Sequence, residues 1–191
     1  MSTEKSKAQD VVTAASIMRP TGADSARAGG VYSVECRDAA GNLKWTDTFN
    51  NLVVNQGLQD MNSKYFSGSG YSATWFLGLV TGPGSGTTFA AGDTIASHAG
   101  WTENTAYTGN RKAVTFGTAT TADPSVISNS AAPSTFTMNA NAQTIAGAFL
   151  CSVATGTSGI LFSAGDFTGG DKIVDSGDTL SVTYTFSLDA A

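Results

Sequence analysis

From residue 179 to residue 188, apolar and hydroxyl side chains alternate without interruption. The apolar members are Leu180, Val182, Tyr184, Phe186 and Leu188, and a single Ser or Thr separates each from the next. Successive side chains of a β-strand point to opposite faces, so this pattern predicts a strand with one apolar face and one hydroxyl face. Such a strand needs neighbouring strands and an apolar layer to cover it, which restricts the chain to architectures built on β-sheet.

Two further patterns support a β-rich fold. Residues 31–37 and 43–48 alternate in the same way and flank the Gly- and Asn-containing stretch 38–42, which predicts a β-hairpin. Residues 74–80 form an almost continuous apolar run of strand length, which predicts a central strand buried on both faces. Other candidate strands are 112–117, 135–138, 144–153 and 159–162.

One segment has helical spacing. Leu58, Met61, Tyr65 and Phe66 recur at i, i+3, i+7 and i+8, Asn55 is the expected N-cap, and a Ser/Gly stretch from residue 67 ends the segment. Together the patterns predict an all-β fold, an antiparallel β-sandwich or jelly roll of about eight strands with one short helix.

The composition is poor in charge. Charged residues make up 13% of the chain, about half the usual share of roughly 25%. The net charge of −5 is unevenly placed: the first 30 residues have four bases and three acids, and the remainder has six bases and twelve acids. An acidic body without a basic stripe argues against direct nucleic-acid binding. The low charge suits a surface that other proteins cover, although Ser and Thr also simply favour strands.

We expect two parts, a flexible N-terminal arm over residues 1–29 and a β-sandwich domain over residues 30–191. The arm has too little apolar surface to fold alone, so it is either a loose terminus or a segment that orders on a partner. Its candidate contact residues are Lys5, Lys7, Val11, Val12, Ile17, Met18 and Arg19. The sequence shows no signal-peptide pattern and no apolar run of 18 residues, which predicts a cytoplasmic product that does not enter a membrane.

The sequence offers little for catalysis or metal binding. His98 is the single histidine, no Gly-x-Ser-x-Gly elbow accompanies it, and we expect it to be structural and hydrogen-bonded near Trp101. The C-terminal acids Asp166, Asp171, Asp175 and Asp178 lie beside glycines, where turns are the favoured interpretation over a loose Ca²⁺ site or a catalytic pair. We therefore predict a protein that is not an enzyme and that has no cofactor or metal.

Four aromatic or cysteine positions leave alternatives open. Trp101 and Tyr107 lie in irregular sequence and are favoured as core or interface residues. If they are exposed, a carbohydrate site would consist of Trp101, Glu103, Asn104 and Tyr107. Cys36 and Cys151 lie in strand-like apolar surroundings, and buried free thiols are the default, with a bridge possible if their strands face each other.

Several stretches, taken in order, resemble small virion structural proteins of tailed bacteriophages. The resemblance covers roughly residues 31–188, and its motifs are the following: Cys36-Arg37-Asp38-Ala39-Ala40-Gly41-Asn42-Leu43-Lys44-Trp45, Asn51-Leu52-Val53-Val54-Asn55-Gln56-Gly57-Leu58, Trp75-Phe76-Leu77-Gly78-Leu79-Val80, residues 92–103, residues 146–150 and residues 177–184. These are fold motifs rather than active-site signatures, so no site residue is transferred.

Within that group, the resemblance implies a capsid decoration, or cement, protein. Its expected partners are the major capsid protein and further copies of itself, as a dimer or trimer. Its expected location is the head surface of the virion, after assembly in the host cytoplasm. The alternatives are a tail, baseplate or head-to-tail connector component, and a module that binds carbohydrate on the host surface.

Overall fold

A computed structural model of the chain describes residues 26–68, 70–71, 74–82 and 87–190, and these form an all-β sandwich with one helix. The elements, in chain order, are β1 (Ala26–Arg37), β2 (Leu43–Asn50), β3 (Leu52–Val53), α1 (Asn55–Phe66), β4 (Trp75–Thr81), β5 (Thr102–Asn104), β6 (Lys112–Val114), β7 (Ser125–Ser128), β8 (Ser134–Thr137), β9 (Gln143–Cys151), β10 (Leu161–Asp166), β11 (Lys172–Val174) and β12 (Thr179–Ala190).

The strands form two antiparallel sheets. The five-stranded sheet has the order β2-β1-β12-β7, and β8 also pairs with β12. The seven-stranded sheet has the order β3-β10-β9-β4-β5, with β11 beside β9 and β6 beside β4. The expected β-sandwich is confirmed, with twelve strands in the described ranges instead of about eight. The additional strands, β3, β5, β7 and β11, are two to four residues long and depend on pairing with longer neighbours.

The alternating segment and the hairpin form the centre of the five-stranded sheet. β12 pairs along its whole length with β1, from Ala26 opposite Ala190 to Arg37 opposite Thr179. A turn at residues 38–42 connects β1 to β2. Within it, the Asp38 carboxylate accepts hydrogen bonds from the backbone N–H groups of Ala40 and Asn42. Since residues 26–29 already pair with residues 187–190, the sheet begins inside the segment that was expected to be an arm.

The main core lies between the two sheets. Tyr32 and Val34 from β1 and Leu180 and Val182 from β12 face Leu77 and other residues of the seven-stranded sheet, all of them buried. A polar group crosses this core: the Tyr32 hydroxyl lies 2.8 Å from the Ser163 hydroxyl, which donates to the Tyr184 hydroxyl at 3.3 Å. Burial raises the pKa of Tyr32 and of Tyr184 well above 10, so both phenols stay neutral in the folded protein.

A second core covers the other face of the seven-stranded sheet. Residues 87–101 fold over it and place Ile95 and Trp101 against Val80 and Phe149, which are also buried. β4 therefore has Leu77 and Leu79 in the first core and Val80 in the second, which confirms the predicted strand with two buried faces. Both cysteines are buried and free.

Helix α1 occupies the predicted segment, but its N-cap differs from the prediction. The N-cap is Val54, whose side chain makes no capping hydrogen bond, and Asn55 is the first helical residue. The helix is fixed instead by long-range contacts: Gln56 accepts the Leu161 backbone N–H at 2.8 Å, and Gly57 packs directly on the Phe162 backbone. No described helix has the length and apolar character required to cross a bilayer.

Candidate interaction surfaces

The residues considered for a carbohydrate site do not share one surface, because Tyr107 belongs to the core between the sheets and Trp101 to the second core. Trp101 is 5% exposed and Tyr107 is 3% exposed, and Asn104 is also buried. The Trp101 indole N–H donates to the Asp93 carboxylate at 3.0 Å, and its ring lies 5.2 Å from that of Phe149. Because sugar binding by stacking needs an exposed ring face, these positions act as core residues, the interpretation that the sequence favoured.

Glu103, the fourth member of that set, has a structural partner. Its two carboxylate oxygens accept bonds from Arg111 Nε at 2.8 Å and Nη2 at 2.7 Å. Arg111 also donates to the carbonyl groups of Val153 and Gly156, and its guanidinium lies 5.3 Å from the centre of the Phe149 ring. This bidentate ion pair connects β5 to two loops. The spacing of the residues in the sequence did not predict it.

His98 is held against Trp101, as expected. Its ring stacks on the indole at 3.8 Å between centroids, and its Nδ1–H donates to the Trp101 carbonyl oxygen at 2.9 Å. A depression of about 520 Å³ lies beside it, lined by residues 96–102. His98 is the one titratable side chain in that lining.

The C-terminal aspartates act in turns and ion pairs. Lys44 lies 2.6 Å from the Asp178 carboxylate and 3.7 Å from that of Asp175, and Asp178 also accepts the Asp175 backbone N–H. Across the described residues, no three His, Cys, Asp or Glu side chains are grouped so that they could hold a metal ion. The turn interpretation therefore accounts for Asp175 and Asp178. Burial, with Asp171 and Asp47 nearby, raises the pKa of Asp166.

The outer side of the five-stranded sheet forms a surface that we call the hydroxyl face. Its side chains point away from the core residues of β1 and β12, and strand register places them side by side. Its members are Ser33, Thr46, Thr48, Ser128, Thr135, Thr137, Thr179, Ser181, Thr183, Thr185 and Ser187.

The hydroxyl face is shallow and nearly free of net charge. Glu35 and Arg37 interrupt the hydroxyl groups, and they pair with each other at 2.6 Å. Neighbouring hydroxyl groups also bond to each other, Ser33 to Thr48 at 3.2 Å and Thr185 to Ser128 at 3.0 Å. A depression of about 450 Å³ lies on this face between β2, β1 and β12. The face therefore presents many hydrogen-bonding groups with little charge to desolvate.

A second surface, which we call the apolar groove, lies where α1 passes the ends of β1 and β12. It has a volume of about 550 Å³ and is lined by Ala26, Ala28, Leu58, Met61, Asn62, Tyr65, Phe66 and Leu188. The sequence predicted an amphipathic helix, and burial of its apolar side would be the usual outcome. In the structure, Met61 packs against the main core, whereas Leu58, Tyr65 and Phe66 are exposed.

Most of the apolar side of α1 faces outward because the helix docks through its other side, and Met61 alone of that side packs against the main core. Gly57 and Asp60 are the buried residues of α1, while Tyr65 is 83% exposed, Phe66 79% and Leu58 40%. Gly57 has no room for a side chain, since a Cβ there would lie 2.5 Å from the Phe162 carbonyl oxygen. An exposed cluster of this size, with two aromatic rings in contact at 4.9 Å, is typical of an interaction site.

No protein-family model matches the chain, and comparison with curated proteins and with solved structures also finds no match. The arm residues considered for partner contact, from Lys5 to Arg19, lie outside the described residues. Among the described residues, the hydroxyl face and the apolar groove are the candidate interaction sites.

Proposed function

We propose that this protein is a non-enzymatic structural component of a tailed-phage virion, a capsid decoration protein that binds the outer surface of the head. The hydroxyl face is the observation that supports this proposal best. On this view it lies against the major capsid protein, and further copies bind around the symmetry axes of the shell, as dimers or trimers.

The chemistry of the hydroxyl face suits a permanent contact. Interface centres are depleted in charged side chains, and the central part of this face presents one internally paired acid and base among Ser and Thr. Its shallow shape fits a broad protein surface better than a small ligand, which usually needs a deep cavity. A face built on paired strands keeps its shape on binding, so little conformational entropy is lost.

The architecture behind that face is also rigid. The five-stranded sheet rests on a sheet that is itself buried on both sides, with one core between the sheets and a second core beneath residues 87–101. A decoration protein has to resist the strain that packaged DNA places on the shell, and close-packed interiors transmit such a load with little deformation.

Arginine substitutions on the hydroxyl face test the proposal. Thr48→Arg and Thr135→Arg place long charged side chains on the two flanks of the face, where both native residues are exposed. We expect folding stability to change by less than about 0.5 kcal/mol and head occupancy to fall by about tenfold or more. Occupancy is measured by adding purified protein to heads that lack it, then sedimenting and quantifying the bound fraction.

Thr157→Arg is the matched control, because Thr157 is exposed in a loop outside the hydroxyl face. It should leave occupancy unchanged. If both face variants bind heads as well as the unmodified chain, the hydroxyl face is not the contact. Cryo-electron microscopy of the decorated virion separates the alternatives, since density on the tail, baseplate or connector instead of the head would overturn the capsid assignment.

A further inference from the structure

The apolar groove lies where the described chain begins. Ala26, the first described residue, is part of its lining, and Ala28 follows on the same strand. The 25 residues that precede Ala26 therefore leave the sheet at the edge of the groove. The point at which they join the sheet lies next to the exposed side chains of Tyr65, Phe66 and Leu188.

We propose that residues 11–18 of the same chain bind in the apolar groove and cover the exposed side of α1. This octet, Val11-Val12-Thr13-Ala14-Ala15-Ser16-Ile17-Met18, is the apolar part of the preceding 25 residues. This inference does not rest on the proposed capsid function. It places the apolar arm residues that were expected to contact the capsid against the chain's own helix.

The spacing of the octet fits the groove. Val11, Ala14, Ala15 and Met18 recur at i, i+3, i+4 and i+7, the pattern by which an amphipathic segment binds an apolar groove as a helix. The two alanines would allow close approach to α1, and the larger Val11 and Met18 would fill space beside the aromatic rings. The exposed apolar side chains of α1 and those of the octet would then bury each other.

The length of the connection permits this contact. Seven residues lie between Met18 and Ala26, so eight Cα–Cα steps of at most about 3.3–3.6 Å each span roughly 26–29 Å. Helix α1 has 12 residues and is roughly 18 Å long, so every part of its exposed side lies within reach. Pro20 and Gly22 lie within the connection, and both favour turns that would direct the octet back toward the helix.

Attachment to the same chain also favours this occupant over a free partner. A short tether gives an effective concentration in the millimolar range, so that even a weak intrinsic affinity fills the groove. A segment from a second copy reaches a comparable concentration only in concentrated protein. Occupancy by the chain's own octet is therefore independent of protein concentration.

Site-specific photo-crosslinking of the full-length protein tests the inference. A benzoylphenylalanine in place of the exposed Tyr65 is activated by light, and trypsin digestion with mass spectrometry identifies the attached peptide. We expect the attachment within residues 11–18, in the tryptic peptide covering residues 8–27, because trypsin does not cut between Arg19 and Pro20. The same probe in place of Leu43, which is exposed at the opposite end of β1, should attach to this peptide at least about tenfold less.

An isotope mixture identifies which copy supplies the segment. Equal amounts of unlabelled and ¹⁵N-labelled protein are mixed before illumination, and the inference requires both crosslinked peptides to carry the same label. Crosslinks that combine the two labels would show that a second copy supplies the segment and would overturn the inference. Crosslinks to any other region, or none to residues 11–18, would overturn it as well.

Paired substitutions in the octet provide an independent readout. Val11→Asp with Met18→Asp should lower the crosslink yield by about tenfold or more, since the groove would have to bury charge. Thr13→Asp with Ser16→Asp adds the same charge on the other side of the pattern and should leave the yield within about twofold. Equal losses in both double variants would show that charge alone, not the apolar pattern, controls the contact, and this result would contradict the inference.

Discussion

At the scale of individual residues, the ion pair between Glu103 and Arg111 has the most direct effect on the free energy of unfolding. The Arg111 side chain is 5% exposed and that of Glu103 is 21% exposed, so the guanidinium depends on this partner for its charge balance. Without the carboxylate, a buried cation would keep the carbonyl groups of Val153 and Gly156 and the face of the Phe149 ring, none of which carries a formal negative charge. Buried pairs that lose one member are strongly destabilised for this reason.

We expect Glu103→Gln to lower the free energy of unfolding by about 3 kcal/mol, measured by urea denaturation at pH 7. Glu35→Gln is the matched control. It breaks the pair with Arg37, whose two side chains are 45% and 41% exposed, and it should cost less than about 0.5 kcal/mol. Similar losses for both variants would contradict the assignment of Glu103 as a structural anchor.

At the scale of elements, Asn129 joins two short strands to one long strand. β7 pairs with β12 at residues 185–188 and β8 pairs with β12 at residues 179–182, which leaves a gap in the ladder. The buried Asn129 side chain fills this gap: its Oδ1 accepts the Tyr184 backbone N–H at 2.7 Å, and its Nδ2 donates to the Val182 carbonyl at 3.3 Å. The Asn129 backbone N–H also donates to the Tyr184 carbonyl at 3.3 Å, so this one residue bridges the gap between β7 and β8.

Asn129→Ala should therefore lower stability by about 3 kcal/mol, because it leaves a buried backbone donor and a buried acceptor without partners. Hydrogen exchange gives a local readout: the Tyr184 amide should lose protection relative to its neighbours in β12. Ser130→Ala changes the adjacent, exposed residue and is expected to be near neutral. Retained protection of the Tyr184 amide in Asn129→Ala would refute this function of the side chain.

The elements also show which parts of the structure local sequence can predict. The alternation in β12, the hairpin of β1 and β2, and the doubly buried β4 all depend on side-chain periodicity, and the structure confirms them. Strands such as β3 and β11 have two and three residues, too few for a period, so they follow from tertiary pairing.

Of the two candidate surfaces, one could be predicted from side-chain periodicity and the other depends on tertiary contacts. The hydroxyl face follows from the alternation itself, since the register of β1 with β12 aligns the Ser and Thr residues. The orientation of α1 could not be predicted, because periodicity shows which residues share a side but not which side meets the core. That choice depends on Gly57 against Phe162, a contact across more than 100 positions of sequence. The apolar groove depends on this contact and on the hydrogen bond from Leu161 to Gln56, which together fix the helix.

At the scale of the whole molecule, the position where the arm ends and the sheet begins bears on both the capsid contact and the covering of the apolar groove. Residues 26–29 pair with residues 187–190 at the end of the five-stranded sheet, so a deletion that separates the arm from the sheet has to stop at residue 25. If the octet covers the groove, its removal exposes Leu58, Tyr65 and Phe66 fully, while the hydroxyl face stays intact.

Comparing deletion of residues 1–25 with deletion of residues 1–29 separates these effects. The shorter deletion should keep cooperative unfolding, raise the fluorescence of a dye that binds apolar surface, and leave head occupancy unchanged, since the hydroxyl face makes the contact. The longer deletion should lower stability further, because it removes the β1 residues that pair with the end of β12 and leaves Leu188 with β7 as its one neighbouring strand. Loss of head occupancy on the shorter deletion would transfer the capsid contact from the hydroxyl face to the arm. An unchanged dye signal would instead mean that the arm does not cover the groove, so the two proposals fail on different measurements.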